Sequence, residues 1–183
     1  MDLDRLSRLI AEAPLSARFL DEAALLPAGS QIFLRGAAGS LLAFLVSSLH
    51  ERRSGGQTLL IVPDNDSAET LRDDSQVLTG VPVHLFIHHP RRDAALLDMS
   101  APIAQIETLK ALSSRESALI VASVEGIVGH LPPPADFTGR SFVLRKGGSF
   151  PFEDLLKQLS GIGFDRKDFV EGYGDFAVRG GIL

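Results

Sequence analysis

A glycine turn at residues 36–40 is the feature of this sequence closest to phosphate chemistry. A phosphate-binding loop needs small residues so that backbone N–H groups can surround the phosphates. It also needs a lysine on the β- and γ-phosphates and a Ser or Thr hydroxyl on magnesium. Here Leu41, Leu42 and Ala43 occupy the positions that would hold glycine, lysine and threonine. We therefore interpret the segment as a degenerate phosphate loop that keeps only a role in the fold. This degenerate loop consists of Gly36, Gly39, Ser40, Leu41, Leu42 and Ala43.

A second group of residues that could carry function lies near the C-terminus, where Arg166 and Arg179 stand among glycines and aromatics. We predict a hairpin of strands 169–171 and 176–183 here, and side chains alternate along a strand. If Val178 packs on a neighbouring helix, Arg179 therefore faces solvent. Arginines beside aromatic side chains are typical of protein-recognition surfaces. A solvated arginine on a small sheet is the alternative, and local chemistry leaves the two interpretations equal.

The remaining reactive residue types form no recognisable site. The chain has no Cys, which excludes a thiolate nucleophile, a thiolate zinc site and a disulfide. His88 and His89 are adjacent, so their side chains point apart in an extended loop, and no third ligand has a diagnostic spacing. No Ser, His and Asp arrangement contains a nucleophile turn. We therefore expect no catalytic residue and no metal.

Composition excludes several classes of protein. The chain has 183 residues, of which 45% are hydrophobic and 22% are charged, as in ordinary globular proteins. Its net charge of −5 argues against nucleic-acid binding by bulk electrostatics. No apolar run approaches the roughly 20 residues of a membrane span, and the acidic, amphipathic N-terminus does not have the pattern of a signal peptide. We expect a cytoplasmic protein without membrane contact.

The elements that would position these residues alternate between strands and helices before residue 131. The expected strands are residues 31–34, 58–62, 83–86 and 118–122. The expected helices are residues 3–10, 16–26, 41–51, 67–78, 103–112 and 124–130. The run at 58–62 is typical of a strand that is covered on both faces. This alternation predicts an α/β fold with a parallel sheet flanked by helices, and we expect residues 87–102 to form a long loop.

The pattern changes after three consecutive prolines at residues 132–134. A strand at 142–144, a helix that starts near Pro151 and the hairpin described above predict a small α+β subdomain. We therefore divide the chain into domains 1–136 and 137–183. Because the last residues have the pattern of an apolar strand, we expect the second domain to be truncated at its C-terminus. An unfinished edge strand exposes unpaired backbone groups and could exchange between two copies to form a dimer.

The C-terminal segment resembles the second subdomain of the UvrB-homology module. The resemblance rests on Gly-Phe-Asp-Arg at 163–166, on Phe-Val-Glu at 169–171 and on Gly-Asp-Phe-Ala-Val-Arg-Gly-Gly-Ile-Leu at 174–183. Residues 59–64, 120–126 and 131–134 and the glycine turn are similar to the same module, in order along the chain. That module opens the transcription-repair coupling factors. Loss of the phosphate-loop lysine favours this family over UvrB, which keeps an intact nucleotide loop. The resemblance implies a P-loop-NTPase-like first domain, similar to UvrB domain 1a, and a second domain similar to UvrB domain 2.

The resemblance also implies a function. Modules of this family recruit UvrA to lesions marked by stalled RNA polymerase in transcription-coupled nucleotide excision repair, and they no longer hydrolyse ATP. The family arginines that contact UvrA match Arg166 and Arg179, and Ile182 and Leu183 join them. ATP, magnesium, RNA polymerase and DNA belong to an ATP-dependent motor and to other domains that we expect to be absent from this chain. We therefore expect a non-enzymatic adaptor that needs no cofactor.

Two alternatives stay open at this point. One is a nucleotide-binding DNA-repair helicase fragment closer to UvrB, against which the missing lysine argues. The other is a plain α/β domain without a partner of its own. The segment between Phe86 and Ala101 departs from the family pattern, because it is short and lacks the usual aromatic and acidic run.

Overall fold

The chain divides into two units, Met1–Gly129 and His130–Leu183. The computed structural model describes residues 2–53, 56–88, 100–129, 131, 133, 134, 142–172 and 174–183. The boundary that we expected between residues 136 and 137 lies outside the described residues, as does most of the expected loop at 87–102. Within the described ranges, no helix is long and apolar enough to cross a membrane.

The first unit alternates helices with parallel strands. Its elements are α1 (Leu3–Glu12), α2 (Pro14–Ala24), α3 (Leu41–Arg52), β1 (Gln57–Val62), α4 (Asn65–Thr79), β2 (His84–Phe86), α5 (Ser100–Ser114), β3 (Ala118–Ser123) and α6 (Val124–Val128). Asp64 caps α4, because its carboxylate accepts a hydrogen bond from the N–H of Ser67 at 2.8 Å. This backbone bond lowers the pKa of Asp64, so the cap stabilises the fold above the ordinary carboxyl pKa and is lost in acid. Helix α4 ends at Gly80, whose φ of 66° suits a residue without a side chain.

The sheet has the order β1-β3-β2, and all of its pairs are parallel. Strand β3 is central, and every one of its residues is buried. Its continuous apolar run suits a strand that is covered on both faces. Ala43 of α3 and Leu71 of α4 join Val121 of β3 in the main core cluster. The α/β class predicted from the alternation of elements is confirmed.

Two predictions about the strands of this unit are wrong. Residues 31–34 form no strand, and Phe33 is 84% exposed, because no described strand offers this segment a ladder of hydrogen bonds. Strand β1 is not covered on both faces. Leu60 packs on the core, but Leu59 and Ile61 are 54% and 53% exposed. Because side chains alternate along a strand, Leu59 and Ile61 lie on the face of β1 opposite to Leu60, and that face is the exposed one.

A network of polar groups closes the carboxyl edge of the sheet. The hydroxyl of Ser123, a fully buried residue, donates to Oδ1 of Asn65 at 2.7 Å and accepts the N–H of Gly126 at 3.1 Å. Nδ2 of Asn65 donates to the carbonyl oxygen of His88 at 2.8 Å. The network therefore joins the end of β3, the start of α4 and the segment after β2.

We expect Ser123→Ala to lower the free energy of unfolding by about 1–3 kcal/mol, because it leaves the half-buried amide of Asn65 and the buried N–H of Gly126 without their partner. Urea unfolding followed by circular dichroism measures the change. Ser113→Ala is the matched control, since this hydroxyl is exposed and bonds only the carbonyl oxygen of Leu109. Equal losses in the two variants would contradict a special role for the network.

The second unit is built on one helix and a pair of short strands. These are α7 (Phe152–Gly161), β4 (Asp165–Arg166) and β5 (Asp175–Phe176). Leu155 and Leu159 of α7 pack with Phe176 of β5 in the core of the unit, and Val178 packs against this cluster. Gly163, with a φ of 101°, ends the helical segment, and the N–H of the next residue returns to the carbonyl oxygen of Leu159 at 3.0 Å. This turn directs the chain into β4.

The predicted hairpin is wrong, and so is the predicted strand at 142–144. Strands β4 and β5 are parallel, with Arg166 opposite Phe176. The carboxylate of Asp175 accepts the N–H groups of Glu171 and Gly172, so these donors are not free to form a hairpin ladder. Beyond β5 the chain makes a tight turn instead of a long strand. The edge strand on which we based strand exchange is therefore absent from the described residues.

Candidate functional site

The degenerate phosphate loop keeps the shape of a glycine turn. Gly36 and Gly39 have φ values of 84° and 57°, and α3 begins directly after the turn. Leu42, at the position of the missing lysine, packs against the main core, and Ala43, at the position of the missing threonine, is fully buried. The side chains that would grip phosphate and magnesium have therefore been replaced by side chains that stabilise the fold.

A cavity of about 510 Å³ lies beside this loop, at the carboxyl edge of β1. Its described lining comprises Gly39, Ser40, Leu42, Val62, Pro63, Asp66, Ser67, Thr70, Leu71 and Asp74. Two of these side chains are carboxylates, and none is a lysine or arginine. Carboxylates repel an anion where nothing neutralises them. Asp66 and Asp74 were not predicted as residues of this site, because they come from α4 rather than from the loop itself.

Arg166 and Arg179 meet at a different place, on the second unit. They line one open concavity of about 730 Å³, which we call the arginine surface. The arginine surface consists of Arg166, Lys167, Asp168, Phe169, Val178 and Arg179. Both arginines are exposed, and neither forms an ion pair with any described residue.

The backbone and the side chain of Arg179 both make contacts within the second unit. Its N–H donates to the carbonyl oxygen of Ile182 at 3.0 Å, and its own carbonyl accepts the N–H of Ile182 at 3.1 Å. The tight turn requires the φ of 60° at Gly180, which glycine adopts without strain. The guanidinium carbon lies 4.5 Å from the ring centroid of Phe169. Val178 packs on the core and Arg179 is exposed, although both lie beyond β5 and the strand from which this alternation was predicted is not formed.

The other residues singled out in the sequence lie elsewhere. Ile182 and Leu183 are 73% and 47% exposed and do not line the arginine surface. His88 contributes its backbone carbonyl to the polar network, and His89 lies outside the described residues. In the part of the chain that the structure describes, no three His, Cys, Asp or Glu side chains are grouped so that they could hold a metal ion. Lys167 was not singled out in the sequence, and Phe169 was noted as part of the Phe-Val-Glu stretch at 169–171 without a role of its own.

Comparison with known proteins finds relatives over most of the chain, although no family model matches it. The chain is 26% identical to the transcription-repair-coupling factor of Escherichia coli strain K12, over 85% of this chain and 14% of the relative. It is 28% identical to UvrABC system protein B of Thermosipho africanus, over 82% of this chain and 25% of the relative. It is also 28% identical to the transcription-repair-coupling factor of Staphylococcus aureus strain MRSA252, over 72% of this chain and 12% of the relative. The chain thus spans a quarter or less of the length of these relatives.

The parallel sheet, the glycine turn at its edge and these relatives define the class of protein, which is an α/β region of DNA-repair proteins. More narrowly, the similarity of the chain both to transcription-repair-coupling factors and to UvrB supports a UvrB-homology module.

Proposed function

We propose that this module is a non-enzymatic adaptor that recruits UvrA in transcription-coupled nucleotide excision repair. Two relatives support the proposal by their names. One is a transcription-repair-coupling factor, and the other is protein B of the UvrABC system. In this proposal the longer protein is an ATP-dependent translocase in the cytoplasm. RNA polymerase, DNA, ATP and magnesium bind to its other regions, and lesions are marked by the stalled polymerase.

The observation that carries the proposal is the convergence of Arg166 and Arg179 on the arginine surface. The two residues are far apart in the chain, yet β4 and the turn after β5 bring them to one concavity. Exposed guanidinium groups form charge-assisted, often bidentate hydrogen bonds with carboxylates. Together with Lys167 they outnumber Asp168, the one carboxylate of this lining. We therefore propose an acidic or polar face of UvrA as the complementary surface.

Calorimetric titration of the chain into purified UvrA tests this function. Saturable heat with a defined stoichiometry supports the adaptor role. Titration into the same buffer without UvrA corrects for dilution. Absence of a complex at every concentration tested would instead favour a plain α/β domain without a partner of its own.

A nucleotide-binding fragment closer to UvrB is the second candidate. The similarity to UvrB over 82% of the chain and the preserved glycine turn favour it. The carboxylates of Asp66 and Asp74 beside the turn argue against it. Titration with a fluorescent ATP analogue separates the two candidates, because saturable micromolar binding would support only the nucleotide-binding fragment.

Restoring the lysine alone is expected not to restore nucleotide binding. Leu42→Lys removes an apolar contact with the core, and Ala43 still supplies no hydroxyl for magnesium. We expect the fluorescent ATP titration to stay unsaturated and the midpoint of thermal unfolding to fall by a few degrees. Leu41→Lys, one position earlier, is the matched control. Tight ATP binding by Leu42→Lys would show that the lysine was the one missing part.

A further inference from the structure

We propose that Phe169 is a positioning residue that holds the Arg179 guanidinium ready for a carboxylate of the docking partner. This inference rests on the proposed adaptor function and extends it to a residue to which the resemblance gave no role. The role of the ring is to fix the direction of the arginine before the partner arrives.

The geometry of the pair supports this role. The guanidinium carbon of Arg179 lies 4.5 Å from the ring centroid of Phe169, well within the range of a cation–π contact. The ring is 66% exposed, and it does not belong to the core cluster of the second unit. Packing in the core therefore does not account for the position of the Phe169 ring, whereas the cation–π contact with Arg179 does.

The backbone completes the arrangement. Two hydrogen bonds with Ile182 fix the main chain of Arg179, while the ring of Phe169 contacts the far end of its side chain. An arginine that is free to rotate loses conformational entropy when it binds, and a preorganised one loses less. The guanidinium carbon lies over the ring, and a guanidinium that contacts a ring in this way can still present N–H groups to a carboxylate in a bidentate manner.

The charge of the surroundings selects the ligand. Arg166 and Lys167 line the same surface as Arg179, and Asp168 is the one acidic side chain of this lining. An anionic group of the partner is therefore favoured over a neutral or cationic one. A carboxylate matches the fork of the guanidinium and is the anion that proteins carry on their surfaces.

Two substitutions at this position test the inference. Phe169→Leu removes the aromatic face and keeps an apolar side chain, so we expect calorimetry to show UvrA binding weakened about two- to fivefold. Phe169→Tyr keeps the ring and is expected to bind like the original chain. Phe164→Leu is the matched control, because Phe164 is partly exposed in the same unit but does not line the arginine surface.

A second measurement needs no partner. In nuclear magnetic resonance spectra of the free chain, the δ-protons of Arg179 should be shifted upfield by the ring. This shift should vanish in Phe169→Leu and persist in Phe169→Tyr. In the Arg179→Ala background, Phe169→Leu should cause no further loss of UvrA affinity.

The outcomes distinguish this inference from the function on which it rests. If Phe169→Leu binds UvrA as well as the original chain while Arg179→Ala binds weakly, the positioning role is overturned and the adaptor function stands. An undiminished effect of Phe169→Leu in the Arg179→Ala background overturns the positioning role as well. If the original chain does not bind UvrA, the adaptor function fails, and the proposed docking role fails with it.

Discussion

Replacing Arg179 with alanine is expected to weaken UvrA binding about thirtyfold, which corresponds to roughly 2 kcal/mol. The expected loss is large because an arginine at the centre of an interface forms charge-assisted hydrogen bonds that alanine cannot replace. The fold should be unaffected. Arg179 is exposed, its side chain forms no ion pair with any described residue, and the backbone bonds of its turn do not depend on the side chain.

Calorimetry against UvrA measures this change, and circular dichroism checks the fold of the variant. Arg145→Ala is the matched control, since Arg145 is an exposed arginine of the same unit that does not line the arginine surface. Binding like that of the original chain by Arg179→Ala would refute the assignment of the surface. An equal loss in Arg145→Ala would mean that general charge attraction, rather than this site, drives the association.

Gly126→Ala is expected to lower the free energy of unfolding of the first unit by about 1–3 kcal/mol. A Cβ atom at this position would lie 2.7 Å from the carbonyl oxygen of Phe86 and 3.1 Å from the Cα atom of Ile87. Both are backbone atoms, so no side-chain rotation can relieve the clash. The segment after β2 would have to move away from α6, which would strain the polar network at Ser123.

Gly129→Ala provides the control for this substitution. A Cβ atom there would meet only the carbonyl oxygen of Gly126, at an ordinary distance of 3.6 Å. Thermal unfolding should therefore show a midpoint several degrees lower for Gly126→Ala and little change for Gly129→Ala. Similar midpoints for the two variants would show that the backbone near Phe86 can move at little cost in free energy.

Much of the first unit could be predicted from the sequence. The helix at 67–78 and the strand at 118–122 were expected, and they form as α4 and β3. The run of β1 is nearly as apolar, yet Leu59 and Ile61 are exposed. An apolar run indicates a strand but not its place in the sheet, since that place depends on residues distant in sequence.

The candidate site was predicted only in part. The exposure of Arg179 was expected from a strand that the chain does not form there, and the resemblance drew attention to Arg166. The concavity that joins the two arginines depends on the parallel pairing of β4 and β5, which the sequence pattern did not suggest. The contact between Phe169 and Arg179 spans ten positions and depends on the turn after β5. Such a contact follows from the tertiary structure and has no local signature.

The small core of the second unit has a dynamic consequence. Leu155, Leu159 and Phe176 are the buried side chains of the cluster that holds this unit together in the described residues. Units of this size have little stability in reserve, so local opening should expose their amide hydrogens to exchange sooner than those of β3. A ligand that binds only the closed form adds its own free energy to that form. Binding of a partner would therefore also slow the local unfolding of the second unit.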